Sequence, residues 1–304
     1  LTGDSARSYR FIYLTLKLNQ ITLKSCICIQ TAERGTMRNA GKKYKGLVAF
    51  DLDHTLLDHN TWKITPSALD GIELLKRNGY AVAIASGRDM KNNTSIVYLK
   101  EVDPDILIHM NGTVVELRDK VLMERCMDKG LLERVLRFCE IHNFPLGFRL
   151  NEVDYFINPK DVLFFDSRYF GIYQDRHFDD PWKLMDLPVR SLAFYGDKAN
   201  SQILQKAFPE LKVMMFSKDY GADVVEADYS KAEGIRRACE HFGISMDDTY
   251  AFGDSTNDIE MLKKVHVGIA MGNAVNETKD VADYITDKID KDGIIKALAH
   301  FNLI

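Results

Sequence analysis

Five short runs of this chain are apolar almost from end to end: Gly46–Phe50, Tyr80–Ala85, Asp105–His109, Thr249–Phe252 and Val267–Ala270. A strand that hides one face alternates apolar with polar residues, whereas an unbroken apolar run belongs to a strand covered on both faces. Helical patterns separate the runs. Thr65-Pro66 reads as an N-cap followed by proline at the first helical position, Ala68, Ile72 and Leu75 share a face, and Gly79 stands where that helix ends. This β-α-β order predicts an α/β fold with a parallel sheet flanked by helices.

The middle of the chain is written differently. Thr113–Leu117 and Val121–Arg125 form a hairpin pattern around Arg118-Asp-Lys120. A helix is expected over Leu131–His142, alternating runs over Phe148–Ile157 and Val189–Tyr195, then a helix over Ser201–Phe208 before the apolar run Leu211–Phe216. These features predict an inserted α+β domain over 115–222. The parallel pattern resumes at Val224 with a helix over 231–242, which makes the core discontinuous, 44–114 and 223–304.

Residues 1–43 read as a peripheral N-terminal extension. Residues 1–45 hold nine Lys/Arg against two Asp/Glu, a net +7, which leaves −11 for the rest of a chain whose total is −4. Met37, just ahead of the first motif, is the expected natural start. Phe11–Gln30 is interrupted by Lys17, Asn19, Gln20 and Lys24, too polar for a bilayer span or a signal peptide.

Composition narrows the function classes. At 304 residues, with 46% hydrophobic and 28% charged, the chain is long enough for a full core and fits a globular protein. The overall charge carries no nucleic-acid signature. Cys26, Cys28, Cys126, Cys139 and Cys239 show no zinc-type clustering, which suits a reduced, cytoplasmic setting. No nucleic-acid or membrane partner is expected, and the assembly expected is a monomer or small homo-oligomer.

In a parallel α/β sheet, ligands bind beyond the carboxyl ends of the strands. Asp51 and Asp53 follow the first run, Ser86-Gly87-Arg88 the second, Asn111-Gly112 the third, and Gly253-Asp254-Ser-Thr-Asn257-Asp258 the fourth. Asp51, Asp53, Asp254 and Asp258 converging without partners would repel one another. A bound divalent cation resolves this, and oxygen ligands shared with a substrate favour Mg²⁺. Each aspartate alone could be a simple helix cap; four, each after an apolar run, point to a site. Ser86 and Gly87 offer donors for an anion at a strand-to-helix turn. Ser230-Lys231-Ala-Glu233 fits a capping box, which puts Lys231 at the positive end of a helix, where a lysine belongs only if an anion faces it.

The sequence pieces "DLDHT", "ASGR", Ser230-Lys231 and "GDSTND", in this order, resemble the four motifs of the haloacid dehalogenase-like (HAD) hydrolases. With "MNGT", "VGIAMGNA" and "DGIIKAL" they look like the Cof-type subfamily, and the likeness spans about 44–302. The resemblance implies a Rossmann-like HAD core sheet carrying a type IIB α+β cap. It also implies a Mg²⁺-dependent phosphatase of small phosphorylated metabolites, sugar phosphates foremost, working through an aspartyl-phosphate. On that resemblance Asp51 is the nucleophile and Asp53 the general acid–base, while Ser86, Gly87, Lys231 and Asn257 hold the phosphoryl group. The metal is held by the Asp51 carboxylate, the Asp53 backbone carbonyl and Asp254. Thr55, Arg88, Asn111 and Asp258 support the site. The family commonly has glycine where this chain has His54.

Other features read more plainly. Gly196-Asp197 lacks the rest of the fourth motif and reads as a turn. The eight histidines show no ligand spacing. Trp182 reads as packing, whereas Trp62 follows the first motif where the family has a mobile flap, so it is a candidate substrate contact. Arg149, Tyr155 and Asn158 are candidates for cap specificity. Two other functions remain open on this core: a phosphotransferase or phosphomutase, and a non-catalytic metabolite-binding protein.

Overall fold

The computed structural model describes residues 43–118, 120–170, 176–216 and 220–304. The basic arm, Met37, Phe11–Gln30, Cys26 and Cys28 lie outside the described residues.

In chain order the strands are β1 (Gly46–Phe50), β2 (Leu57–Asp58), β3 (Lys63–Ile64), β4 (Tyr80–Ala85), β5 (Ile106–His109), β6 (Val114–Leu117), β7 (Lys120–Glu124) and β8 (Leu146–Leu150). They continue with β9 (Val153–Phe156), β10 (His177–Asp179), β11 (Leu192–Asp197), β12 (Leu211–Met215), β13 (Tyr220–Glu226), β14 (Thr249–Gly253), β15 (Val267–Ala270) and β16 (Tyr284–Ile285). A large sheet has the order β16-β15-β14-β1-β4-β5-β6-β7, a smaller one β10-β9-β8-β11-β13-β12, and β2-β3 form a short pair.

From β16 to β5 the large sheet is parallel. Every residue of β1 is buried, as its unbroken apolar run requires. Val48, Phe50, Val82 and Ile84 pack on one face with the helices Pro66–Arg77 and Gly293–His300, through Ala68, Ile72, Leu75, Ala297 and Leu298. Leu47, Ala49, Ala81 and Ala83 pack on the other with Ile235, Ala238, Met261 and Leu262 of the helices Lys231–Phe242 and Ile259–Lys264. Phe50 stacks on Phe252 across β1 and β14, ring centroids 4.9 Å apart. Such a pair adds about 0.5–1.5 kcal/mol beyond its buried area.

Three sequence expectations shift. The β6-β7 hairpin, placed at the head of the insert, pairs with β5 and extends the large sheet. Val224, read as the return to the core, lies in β13, which is antiparallel to β11 and β12 in the small sheet. The expected boundaries at 115 and 223 therefore do not follow the sheets. Phe148–Ile157 is not one strand but parts of the β8-β9 hairpin, because Asn151 and Glu152 both take left-handed backbone (φ 50° and 66°) and turn the chain.

The small sheet buries Leu146, Phe148, Phe194 and Val224 against Leu132, Val135, Leu136 and Leu204 of the helices Lys129–His142 and Lys198–Ala207. Its β12 edge is tied to the carboxyl edge of the large sheet. Lys212 Nζ donates to Glu260 Oε2 at 2.7 Å and to Tyr229 O at 3.1 Å, and Thr256 Oγ1 donates to Met215 O at 3.0 Å. Among the described residues no helix is long and apolar enough to cross a membrane.

Candidate active site

Asp51 N donates to Phe252 O at 2.9 Å, so the first aspartate is still fixed to the sheet as the chain leaves β1. Asp51, Asp254 and Asp258 are all buried, and one carboxylate oxygen from each lies within 4.8 Å of the others. Lys231 offsets part of that charge. Its buried Nζ donates to Asp51 Oδ1 at 2.6 Å and to Asp258 Oδ1 at 2.7 Å. Two local features bring it there. Ser230 Oγ accepts from Glu233 N at 3.2 Å and starts the helix. Gly112, at φ +86°, lies against the same turn, where a Cβ would stand 2.0 Å from Ser230 O. The reciprocal half of the expected capping box is replaced, because Arg236 and Arg237 take the Glu233 carboxylate.

Asp258 is fully used: its Oδ2 accepts from Asp254 N at 2.9 Å and Ser255 N at 3.0 Å. Asp254 is not. Among the described residues its carboxylate accepts from Thr55 Oγ1 alone, at a long 3.4 Å. Burial, then the charges of Asp51 and Asp258, raise its pKa well above the ordinary carboxylate value. Burial also lifts Asp51 to about 8, against the pull of Lys231. Burial works against the charge on Lys231, but Asp258 and Asp51 outweigh it and hold the lysine protonated.

This edge is therefore short of positive charge. An all-oxygen donor set of this kind fits a hard divalent cation such as Mg²⁺. Asp51, of which Lys231 takes only Oδ1, and Asp254 are the side chains left to hold it, since both oxygens of Asp258 are used.

Asp53 has its own partners. Arg88 Nε and Nη2 donate to its two oxygens at 2.7 and 2.6 Å, and His59 Nε2 lies 2.6 Å from Oδ1. Burial opposes its charge, but the bonds from His59 and Arg88 prevail and hold the carboxyl well below the usual range. The sequence argument that four aspartates meet without partners is thus corrected: Lys231 serves Asp51 and Asp258, Arg88 and His59 serve Asp53, and Asp254 is left over.

The remaining motifs close a ring beside these acids. Ser86 Oγ accepts from Arg88 N at 3.1 Å. Asn111 Nδ2 donates to Asp223 Oδ2 at 2.8 Å, and Asn257 Nδ2 donates to Asn111 Oδ1 at 3.2 Å. A Cβ on Gly87 would lie 2.5 Å from Asp223 Oδ2, so the glycine lets these groups meet. Burial raises Asp223 to about 6, although the Asn111 bond pulls the other way. A cavity of about 570 Å³ opens here, its floor formed by Asp51, Asp53, Gly87, Arg88, Asp254 and Asn257.

The sequence signature of the haloacid dehalogenase-like hydrolases matches residues 48–298, most of the chain. This chain belongs to the haloacid dehalogenase-like hydrolases. YkrA of Bacillus subtilis strain 168 is 30% identical to it over 85% of this chain and 98% of its own. The 5-amino-6-(5-phospho-D-ribitylamino)uracil phosphatase YcsE of the same organism is 45% identical over 84% of this chain and 96% of its own. A solved HAD subclass IIB sugar phosphatase superposes with a TM-score of 0.77 at 26% identity, covering 85% of this chain and all of that one (100%). The hydrolase is an enzyme of the phosphatase class, with the core fold its motifs imply.

In this hydrolase the sequence-expected residues fall into two tiers. Asp51, Asp53, Gly87, Arg88, Asp254 and Asn257 line the cavity. Thr55, Ser86, Asn111, Lys231 and Asp258 are buried behind that lining. His54 sits at φ 59°, a left-handed conformation, which is the physical reason for the glycine common at this place in the family.

Arg149, Tyr155 and Asn158 do not line the cavity. Arg149 pairs with Glu152 at 2.8 Å, Tyr155 packs against the small-sheet core, and Asn158 caps the helix Pro159–Phe165. Asp197 caps the helix Lys198–Ala207. Sequence reasoning missed Asp223, His59 and the aromatic residues Tyr195, Phe216 and Tyr220 of the cavity wall. His59 lies six residues beyond Asp53, and that closeness to a motif was the one signal available.

Proposed function

We propose that the hydrolase releases inorganic phosphate from small phosphorylated metabolites by way of a phospho-Asp51 intermediate. The observation that carries this is the Asp51 carboxylate: fixed to the sheet, held at one oxygen by Lys231, facing the cavity, and beside an acid that lacks a cation. Bound at Asp51 and Asp254, Mg²⁺ would supply the missing positive charge and let an anionic ester approach.

The rest belongs to the chain's own groups. Asp51 attacks phosphorus and the ester's oxygen leaves with a proton from Asp53. Arg88 and His59 hold Asp53 ionised at rest, so that proton is first lent to it by His59 Nε2, 2.6 Å away, and Asp53 is a carboxylate again before the second step. Water then attacks the acyl phosphate, Asp53 takes its proton, and Asp51 and inorganic phosphate are released. Asn257 and the backbone at Gly87 line the floor where the phosphoryl oxygens sit, and Lys231 holds Asp51 in place from behind.

The relatives point to substrates with the phosphate on a sugar or polyol: one is a sugar phosphatase, the other acts on a phosphoribityl compound. Residues 126–226, which carry the small sheet, would act as the cap that covers the leaving group.

The test is phosphate release from a panel of monoesters with Mg²⁺ and after chelation, with acid-quenched samples examined by peptide mass spectrometry. Mg²⁺-dependent release with a phosphoryl group on the Asp51 peptide is expected. Release unaffected by chelation, or a phosphoryl group on another residue, would overturn the proposal, and transfer to a second sugar in place of water would convert it to a transferase.

A further inference from the structure

The cavity is chemically divided. Its floor is charged and carries the acids, Arg88 and Asn257. Its mouth is aromatic. The β2-β3 turn brings His59 and Trp62 into one tier with His54, which lies just ahead of β2; ring centroids are 3.9 Å apart for His54 and His59 and 4.5 Å for His59 and Trp62. The last two rings are nearly parallel, at 20°. The small sheet contributes Tyr195, Phe216 and Tyr220 to the same cavity.

Two further observations point to a ligand. Trp62 is 56% exposed and sits at φ 55°, a left-handed backbone that a bulky residue adopts only at a cost. Burial in the core does not account for its place, but presenting its ring at the cavity does. The tier is also registered to the chemistry, because His59 is fixed to Asp53 through Nε2. The facing wall is anchored too. The Tyr195 hydroxyl already accepts from Arg176 Nη2 at 3.3 Å.

We propose that the preferred leaving group ends in a planar conjugated ring, stacked on Trp62, whose other face rests on His59, and faced by Tyr195, Phe216 and Tyr220. The proposal rests on the phosphatase reading and names its substrate class: a phosphorylated sugar or polyol that carries a flat heterocycle. Trp62 is then a specificity-determining residue. Aromatic platforms hold flat rings of many kinds, because every such ring has a π face.

Ribose 5-phosphate and uridine 5′-monophosphate make a matched pair, since they share the phosphate end and differ by a planar base. Expected is a kcat/KM about tenfold or more higher for the nucleotide, carried mainly by KM. Trp62→Ala should cut that ratio by about tenfold and Trp62→Phe should restore most of it, the size expected for loss of one ring stack. Equal kcat/KM for the two esters, or a ratio unmoved by Trp62→Ala, would overturn the platform.

Calorimetric binding of both esters to Asp51→Asn separates the two readings. Tighter binding of the nucleotide, with no phosphate release by the wild type, would leave the platform standing and remove the phosphatase. Release from both esters with equal binding would do the reverse.

Discussion

In the small sheet, buried Arg176 donates to Asp166 through Nε and Nη2 at 2.5 and 3.0 Å and to Asp154 through Nη1 at 2.8 Å. Arg149 adds a second cation 3.8 Å from Asp154 but is shared with Glu152 at the surface, so two arginines meet two buried carboxylates and one exposed one. At the edge of the large sheet, Lys231 and Arg88 meet four: Asp51, Asp53, Asp254 and Asp258. Both clusters are largely buried and built from short bonds. The first is bridged by Arg176 and does not line the cavity, although among the described residues Asp154 Oδ2 is left without a hydrogen bond. The second leaves Asp254 without a cation and opens onto a cavity. Buried charge by itself does not mark a site; charge that the chain leaves uncompensated, with access to solvent, does.

The strongest way to break this comparison is Asp51→Asn. If the large-sheet cluster is structural like the other, phosphate release survives. On the present reading it falls by roughly 10⁵-fold, as for loss of a covalent nucleophile, while Asp166→Asn changes kcat less than about tenfold. Single-turnover phosphate release on both variants decides it.

The next pair sharpens the comparison by sign. Arg176→Met strands Asp154 and Asp166 in the interior and should cost about 3–5 kcal/mol. Asp254→Asn removes an uncompensated charge and should stabilise the metal-free protein by about 1–2 kcal/mol. Denaturant midpoints measured in chelator read both. The same sign for the two would mean that the large-sheet cluster is as balanced as the small one.

Mg²⁺ probes the imbalance directly. At about 100 times its dissociation constant it should stabilise the wild type by about 2.7 kcal/mol. Asp254→Asn should lose most of that gain, and Arg176→Met should keep it. Thermal unfolding with and without Mg²⁺ checks this, and a full response in Asp254→Asn would place the cation elsewhere.

What the sequence disclosed follows the same division. The parallel core was legible because strands buried on both faces cannot alternate, as β1 and β4 show. Its site was legible because the chemistry sits at strand ends, within a residue or two of those runs. The cavity mouth was not. Tyr195, Phe216 and Tyr220 are ordinary strand aromatics by sequence, and their common wall comes from the antiparallel pairing of β11, β12 and β13. Asp223 was hidden for a related reason: β13 is the last strand of the small sheet in the chain, and nothing local tells a small-sheet strand from a core strand. The pairings of the charges were equally hidden, since Lys231 and Asp51 are 180 residues apart.

Asp223 offers the smallest and most selective test. It belongs to the small sheet, yet its carboxylate accepts from Asn111 of the large-sheet edge. Burial raises its pKa from 3.8 to about 6. For a carboxyl raised on folding, the favourable contribution is whole below its ordinary pKa and is lost as pH rises through the raised one. Asp51 and Asp254 are raised too, so metal-free stability should fall overall between pH 4 and 8. Asp223→Asn keeps a neutral side chain at every pH and should remove its own share of that fall. The variant's advantage over wild type should grow between about pH 4 and 6, by about 3 kcal/mol in all, and level off above that. Stability curves for the two proteins in chelator would show this as a widening difference. A difference that stays constant with pH would mean that Asp223 is ionised throughout, and that the small sheet brings a fifth charge to an edge already short of cations.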